Sequence, residues 1–333
     1  MHQAKVRKFG AAILYVLVFI LMLSGCVGAG SSNNTGSSEQ IPNKASEPAS
    51  EQPEVRTIQT VMGPVKLEGT PQRIVVLSNE GTEAVLALGV KPVGAVKSWL
   101  GDPWYAHIAN QMQDVTVVGD EMQPNLELIA SLQPDLILGV KVRQEAVYKQ
   151  LSAIAPTVFS ETLSGEWQKN FQIYADALNK REQGQTILAE FNKRIEDAKA
   201  KLGDKTSAKV SVVRFLPGGA RIYFKDSFSG VLLSQLGFAR PKVQDKAGLA
   251  EEITKERIPE MDGDILFYFV WEDDVNTKTG EKSKLEWQKE QLWKNLNVVK
   301  NHKAFEVQDA IWNTSGGILA ANLMLDELLQ HME

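Results

Sequence analysis

Short apolar runs alternate along residues 70–330 with longer segments in which apolar side chains recur every three or four positions. In the first half, the runs predict buried strands at 73–77, 93–96, 115–118, 136–138 and 157–159. The periodic segments predict helices at 80–88, 126–132 and 144–154. Strands and helices that alternate in this way are typical of an α/β fold.

The longest periodic segment predicts a helix from residue 180 to residue 202. Asn179 is expected to cap it, with Glu182 as the capping-box partner, and Gly203 is expected to end it. At 1.5 Å per residue such a helix spans ~35 Å, which is long enough to connect two lobes.

The second half repeats the alternation of the first. Further elements are predicted at 209–215, 221–224, 231–236, 265–270 and 305–307, with a last helix at 318–329. The glycine pair of Leu216-Pro-Gly-Gly219 favours a hairpin turn. A weak internal repeat places Glu127 eight residues before Asp135 and Glu256 eight residues before Asp264, each pair spanning a short helix and a turn. The simplest architecture is two related lobes with one bridging helix.

The N-terminus has the pattern of an export signal. Lys5, Arg7 and Lys8 precede an apolar run of 13 residues, 11–23, which is shorter than an ordinary transmembrane helix. Leu23-Ser-Gly-Cys26 follows at once and resembles the lipobox of bacterial lipoproteins, in which the cysteine is acylated. Residues 27–56 are mostly Ser, Asn, Gly, Glu and Pro, a composition that predicts a disordered tether.

Charge and cysteine content exclude several kinds of site. The formal net charge is −5, and without the three positive charges of the signal the remainder carries −8, which argues against nucleic acid as a partner. A single cysteine permits neither an intrachain disulfide nor a zinc site built from cysteines. The four histidines are scattered along the chain, so we expect no metal site of the protein's own.

Motifs of enzymatic chemistry are missing from the sequence. It contains no Gly-x-Ser-x-Gly elbow, no Walker loop and no Gly-x-Gly-x-x-Gly after a strand. These absences favour a binding protein over an enzyme, and no intrinsic cofactor is expected.

Three segments carry a family resemblance. Thr70-Pro-Gln-Arg-Ile-Val-Val-Leu, Glu83-Ala-Val-Leu-Ala-Leu-Gly-Val-Lys-Pro-Val-Gly and Pro124-Asn-Leu-Glu-Leu-Ile-Ala-Ser-Leu-Gln-Pro-Asp-Leu-Ile-Leu resemble the iron-siderophore binding proteins of ABC importers. Trp99-Leu-Gly-Asp-Pro-Trp-Tyr and Trp312-Asn-Thr-Ser-Gly-Gly-Ile look similar to the binders of hydroxamate and citrate-hydroxamate siderophores in Bacillus-like bacteria. The resemblance covers residues 57 to 333.

The resemblance implies two Rossmann-like α/β lobes joined by one long rigid helix, with the ligand in the cleft between them. The expected organisation is a signal peptide at 1–25, a lipidated Cys26 with its tether at 26–56, an N-terminal lobe at 57–178, the bridging helix at 179–203 and a C-terminal lobe at 204–333. It further implies a monomer on the outer face of a cell membrane, favoured to be Gram-positive, that delivers a ferric siderophore to permease subunits. In the family, one glutamate on each lobe docks on the permease, and Glu127 and Glu256 occupy matching positions.

A ferric siderophore is a bulky and often anionic chelate whose iron is already coordinated, so the protein has to supply donors and aromatic faces. Arginine offers a fixed charge and a planar fork of donors. Arg143 follows a predicted strand, Arg214 interrupts the apolar run of another, and Arg221 with Tyr223 lies on the next. We expect these four residues to bind the ligand.

Seven tryptophans are more than packing requires. Trp271 follows the predicted strand 265–270, Trp312 precedes Gly316-Gly317, and Trp99 lies before the turn at 101–103, so these three are expected at the ligand. The remaining four are expected in the core or anchoring loops: Trp104, Trp167, Trp287 and Trp293.

Three other ligands and one other role remain open. The same fold could bind cobalamin, haem or a catecholate siderophore, and haem would need an axial ligand such as Tyr223. A surface adhesin or sensor co-receptor is the alternative outside transport, although it leaves the arginines without a role.

Overall fold

Two five-stranded sheets and the helices around them make up the structure, a computed structural model that describes residues 54–272 and 276–332. The strands are β1 Val55–Thr60, β2 Gly63–Glu68, β3 Ile74–Val76, β4 Gly94–Ala95, β5 Thr116–Val117, β6 Leu136–Val140, β7 Thr157–Ser160, β8 Val210–Leu216, β9 Gly219–Tyr223, β10 Ala250–Ile253, β11 Ile265–Val270 and β12 Ala304–Glu306. The helices are α1 Asn79–Ala87, α2 Leu126–Ser131, α3 Lys141–Gln144, α4 Tyr148–Ile154, α5 Trp167–Ala177, α6 Arg181–Leu202, α7 Phe228–Gln235, α8 Thr279–Lys289, α9 Gln291–Asn295, α10 Asn297–Lys300 and α11 Ile318–Met332.

The two sheets differ in strand direction. The first has the order β5-β4-β3-β6-β7 and is parallel throughout. The second has the order β10-β9-β8-β11-β12, and it is parallel over β8, β11 and β12 but antiparallel at β9 and β10. The predicted hairpin turn is confirmed, because Leu216 pairs with Gly219 between β8 and β9.

Alternation along the strands divides the apolar side chains between three cores, since successive strand residues point to opposite faces. A central core takes Ile74 and Val76 from the first sheet and Val212 from the second, together with residues of α1, α5, α6, α7 and α11. Each sheet buries its other face in a core of its own, with Val75 in one and Val213 in the other. The two sheets thus share the central core.

Helix α6 joins the two halves of the chain. Its 22 residues span ~33 Å. Phe191, Ile195 and Ala198 are buried in the central core, and Arg194 donates hydrogen bonds to Asn322 and Asp326 of α11. The helix ends at Leu202, and Gly203 supplies the left-handed conformation (φ 53°) that follows it. The predicted fold class, two α/β halves connected by one long helix, is confirmed.

The predicted cap of α6 is wrong. Asn179 lies one residue further out, in the left-handed conformation (φ 58°), and its side chain donates to Thr70 instead of accepting from the helix N–H groups. Lys180 occupies the capping position, and its side chain makes no capping hydrogen bond with the helix backbone. The turn from α5 to α6 is so short that it needs a left-handed residue, a conformation that asparagine tolerates.

The boundary of the predicted tether also shifts. Val55 and Arg56 belong to the hairpin β1–β2, which pairs Arg56 with Leu67. The Arg56 guanidinium donates to the backbone oxygens of Gly69, Asp176 and Ala177 and so fastens this hairpin to the end of α5. The signal, Cys26 and the rest of the tether lie outside the described residues.

A buried carboxylate connects α1 to α11. Glu83 is fully buried, and its Oε1 lies 2.6 Å from Nε2 of His107. Its Oε2 accepts a hydrogen bond of 2.9 Å from the backbone N–H of Ala320, in the first turn of α11. Gly317 allows this approach, because a Cβ there would lie 2.6 Å from Oε2 of Glu83. Glu83 therefore joins α1 to α11.

Glu83→Leu should lower the free energy of unfolding by about 2–4 kcal/mol, because it leaves the buried N–H of Ala320 and Nε2 of His107 without their hydrogen-bond partner. Urea unfolding measures the change. Glu83→Gln is the matched control, since it keeps an oxygen that can accept from Ala320, and it should lose less. An unchanged midpoint for Glu83→Leu would show that the contact contributes nothing.

Candidate functional site

Four of the predicted ligand residues belong to the central face of the second sheet. Val212 of β8 faces the central core, so Arg214, two residues further on, points to the same side. Arg214 pairs with Arg221 across β8 and β9, and Tyr223 follows Arg221 by two residues. Trp271 comes two residues after Phe269, which also belongs to the central core. The period of two thus brings these side chains together.

They form one wall of a cleft with a volume of about 380 Å³. Both halves of the chain line it. The first half contributes Glu80, Trp99, Glu121, Arg143, Leu163 and Ser164, and the second contributes Arg214, Leu216, Arg221, Tyr223, Leu249, Trp271, Asn313, Thr314, Ser315 and Gly316.

Arg214 is held on two sides. Its Nε lies 2.5 Å from Oδ2 of Asp309, and its guanidinium carbon lies 4.6 Å from the centre of the Trp271 ring. Burial raises the pKa of Asp309, and Arg214 opposes that rise. Nη2 of Arg214 is buried without a hydrogen-bond partner among the described residues. The side chain is therefore fixed, with one donor left for a ligand.

Arg221 and Tyr223 stand beside Arg214. Arg214 and Arg221 lie directly opposite each other, and like charges in such positions repel. Glu252 of β10 offsets this repulsion, because its Oε1 accepts a hydrogen bond of 2.6 Å from Nη2 of Arg221. This hydrogen bond raises the pKa of Arg221. Tyr223 is only 3% exposed, and burial raises its pKa. Arg221 thus adds a second, more exposed cation to the wall, and Tyr223 remains a neutral phenol.

Trp99 and Trp271 meet across the cleft. Trp99 follows β4 in the first half, whereas Trp271 follows β11 in the second, and their ring centres lie 6.4 Å apart at 65°. Both side chains are partly exposed. The edge-to-face pair gives the cleft an aromatic surface with contributions from both halves.

Arg143 stands on the opposite wall from Arg214. It lies in α3, directly after β6, and its side chain is 35% exposed. Its Nε is 3.6 Å from Oε2 of Glu121, too far for a hydrogen bond. Burial raises the pKa of Glu121, whose Oε1 accepts from the backbone and the side chain of Asn79. Arg143 is therefore available to a ligand.

The prediction that Trp312 contacts the ligand is wrong. Its side chain is fully buried, its ring lies 4.4 Å from that of Phe267, and its Nε1 donates to Glu327 at 2.6 Å. The next four residues, 313–316, line the cleft in its place. The four tryptophans predicted to pack are indeed buried: Trp104, Trp167, Trp287 and Trp293.

Several cleft residues were not foreseen from the sequence. Glu80 and Glu121 are buried in the cleft wall, and Asp309 holds Arg214 from behind. Thr314 and Ser315 line the cleft with buried hydroxyl oxygens that have no hydrogen-bond partner among the described residues. A weak signal existed for Glu80, because it lies three residues after a predicted strand, near the edge where the ends of parallel strands carry functional side chains.

The two glutamates predicted to dock lie outside the cleft lining. Glu127 is exposed in the first turn of α2, and Glu256 is exposed in the 3₁₀ segment Lys255–Met261. The second element is thus a 3₁₀ segment, although each glutamate takes the second position of its element. A hydrogen bond with the side chain of Thr254 lowers the pKa of Glu256. This glutamate is therefore an exposed anion at neutral pH.

The described residues contain neither a cluster of metal ligands nor a membrane-spanning helix. Within 54–272 and 276–332, no three His, Cys, Asp or Glu side chains are grouped to hold a metal ion. Among the helices of those same residues, none has the length and apolarity needed to cross a membrane.

Comparison with known proteins agrees with this geometry. The profile of a family described as periplasmic binding protein matches residues 74–310. "Probable siderophore-binding lipoprotein YfiY" of Bacillus subtilis (strain 168) is 48% identical over 97% of both chains, and "Fe(3+)-citrate-binding protein YfmC" of the same strain is 31% identical over 97% of both. The crystal structure of Staphylococcus aureus SirA complexed with staphyloferrin B superposes with a TM-score of 0.77 at 35% identity, covering 83% of this chain and 98% of SirA.

Arg214→Ala should lower the free energy of unfolding by about 3–5 kcal/mol, because it leaves the buried Asp309 without its cation. Arg143→Ala should change it by less than about 1 kcal/mol, since that side chain is partly exposed and makes no hydrogen bond with Glu121. The double variant Arg214→Met with Asp309→Asn removes both charges and should recover part of the loss. Urea unfolding of the three variants decides the point, and equal losses for Arg143→Ala and Arg214→Ala would contradict it.

Proposed function

This chain belongs to the periplasmic binding protein family, and we propose that it is the extracytoplasmic component of an ABC importer that captures a ferric siderophore for iron uptake. The family consists of binding proteins. YfiY is named as a probable siderophore-binding lipoprotein and YfmC as an Fe(3+)-citrate-binding protein, and SirA was crystallised with staphyloferrin B. The proposed ligand is a ferric hydroxamate or carboxylate-hydroxamate chelate.

One observation carries the proposal. The cleft has arginines on both walls, an aromatic pair between them, and buried polar atoms without partners at Arg214, Thr314 and Ser315. Buried polar groups normally find a partner, so these atoms suit a ligand rich in oxygen. A chelate whose outer oxygens carry negative charge matches the guanidinium donors, and its flat faces match the two indole rings.

The alternatives receive less support from the same geometry. Haem would need an axial ligand in the cleft, and the phenol of Tyr223 is almost completely buried. A protein that binds ligands only on its outer surface would have no use for polar groups concentrated inside a cleft. Cobalamin offers few anionic oxygens to three arginines, and a catecholate chelate remains the nearest competitor.

Localisation follows from the same proposal. We place the protein outside the cytoplasm, held at the membrane by an acylated Cys26, because Leu23-Ser-Gly-Cys26 resembles a lipobox and YfiY is named a lipoprotein. Two acyl chains on one cysteine would suffice for stable anchoring.

A titration followed by tryptophan fluorescence tests the ligand. Ferric staphyloferrin B or a ferric citrate-hydroxamate should quench Trp99 and Trp271 with a dissociation constant below about 1 μM, or about −8 kcal/mol. The iron-free forms should bind more weakly, because they are not preorganised. Arg143→Ala should weaken binding by about 1.5–3 kcal/mol, the scale of a hydrogen bond to a charged group. Saturable quenching by haem or cobalamin, with none by any ferric siderophore, would refute the assignment.

Docking on the permease is proposed for Glu127 and Glu256. They are exposed, they take matching positions in the two halves, and neither lines the cleft. A permease of two subunits offers two equivalent surfaces, so each half of this protein should present one acid. Charges at the edge of an interface set orientation and association rate more than the affinity for a small ligand.

The double variant Glu127→Ala with Glu256→Ala should bind ferric siderophore within about a factor of two of the wild type, because the changes are remote from the cleft. Uptake of iron-55-labelled siderophore by cells should nevertheless collapse, and each single variant should show a partial loss. Glu286→Ala, an exposed glutamate of α8 outside the repeat, is the matched control. Normal uptake by the double variant would remove both residues from docking.

A further inference from the structure

Glu80 is a buried carboxyl that the proposed function leaves without a role. It is the second residue of α1, it is 4% exposed, and it lines the cleft. Its Oε1 accepts a hydrogen bond of 2.6 Å from Nδ2 of Asn170 in α5. Its Oε2 is buried and has no hydrogen-bond partner among the described residues. One oxygen is therefore engaged by the protein, and the other is without a partner in a residue that lines the cleft.

The surroundings of Glu80 disfavour a negative charge. Burial raises its pKa to about 8, against the hydrogen bonds from Asn170 and from the backbone of Ser164, which lower it, and the nearby carboxyls of Glu121 and Glu83 add to the rise. Tyr174 of α5 also faces it and is an uncharged phenol with a raised pKa. The two arginines on either side of the cleft face other carboxyls: Arg143 lies 3.6 Å from Glu121, and Arg214 contacts Asp309.

The 3₁₀ segment Ser164–Glu166 brings no positive charge to Glu80, because its charged residue is the exposed Glu166. Gly317, just before α11, lies close to the backbone oxygen of Glu80, and Ile318 of α11 with Trp167 and Phe171 of α5 line a small space beside it. Glu80 is therefore neutral in most molecules at pH 7.

We propose that Glu80 serves as a neutral carboxylic acid whose Oε2–H donates a hydrogen bond to an oxygen of the bound chelate. Because Asn170 donates to Oε1, that oxygen has to be the acceptor, and the proton belongs on Oε2. A hydrogen bond from a carboxylic acid to an ionised oxygen is among the strong ones. The inference rests on the proposed function and makes Glu80 a specificity-determining residue for chelates that turn a carboxylate or hydroxamate oxygen towards α1.

The proposal has a defined pH dependence. An ionised Glu80 cannot donate, and it would repel an anionic ligand, so affinity should be constant below pH 7 and fall towards tenfold per pH unit above about pH 8. A ligand that accepts this hydrogen bond holds the proton on Glu80. Binding at pH 8 should therefore take up about half a proton, the fraction of Glu80 that is ionised beforehand.

The stability of the folded protein should also depend on pH through Glu80. The folded-state pKa is raised above the unfolded value, so any stability contributed by protonated Glu80 is present below pH 4.5 and lost as pH rises through about 8. Glu80→Gln removes the titration and keeps both an oxygen for Asn170 and an N–H donor for the ligand. It should melt higher than the wild type at pH 8, with no such gain at pH 4.

The test is calorimetry with a ferric citrate-hydroxamate and ferric staphyloferrin B as probes, at pH 6.5, 8 and 9, in buffers of different ionisation enthalpy. Glu80→Gln should bind within about threefold of the wild type at pH 6.5, take up no proton at pH 8, and lose the alkaline decline. Glu80→Leu, which cannot donate, should bind tenfold or more weakly at every pH.

The outcomes distinguish a failure of the role proposed for Glu80 from a failure of the proposed function. If a probe binds the wild type but proton uptake is the same in Glu80→Gln, Glu80 is not the donor, whereas the proposed function stands. If Glu80→Gln gains stability at pH 8 and Glu80→Leu binds normally, the residue is buried without a role in binding, and the inference is likewise overturned. If neither probe binds the wild type at any pH, the proposed function fails for this ligand class, and the inference fails with it.

Discussion

The cleft depends on one buried ion pair. Arg214 interrupts the apolar strand β8, where removing a guanidinium from water costs several kcal/mol. The charge is tolerated because Asp309 accepts from its Nε and the Trp271 ring covers its face. Arg214 lines the cleft, and its Nη2 is buried with no hydrogen-bond partner among the described residues. The pair that makes the buried charge stable also fixes the donor that a ligand would meet.

The two halves bring different chemistry to this cleft. The second sheet contributes Arg214 and Arg221 with their balancing carboxylates, whereas the first half contributes Arg143 and the buried acids Glu80 and Glu121. Trp99 and Trp271 meet between them. The shared central core and the long helix α6 hold the halves together, so few side chains need to reorder when a ligand arrives.

Local pattern explains what could be predicted from the sequence. Once the hairpin containing Arg214 is located, its register and a period of two place Arg221 and Tyr223 on the same face. Trp271 joins them through the pairing of β8 with β11, which is distant in sequence. The partners of these residues could not be found in this way, because Asp309 lies 95 residues from Arg214 along the chain. The prediction that Trp312 contacts the ligand was wrong for a related reason. A tryptophan before two glycines is typical of a loop, but here Phe267 and Glu327, both distant in sequence, enclose the ring.

The most direct measurement is a crystal structure of the protein with a bound ferric carboxylate-hydroxamate chelate, with the iron located by its anomalous scattering. The account predicts iron in the cleft, a ligand oxygen within hydrogen-bond distance of Nη2 of Arg214, and the rings of Trp99 and Trp271 against the chelate. Iron bound outside the cleft, with Nη2 of Arg214 not in contact with the ligand, would contradict it.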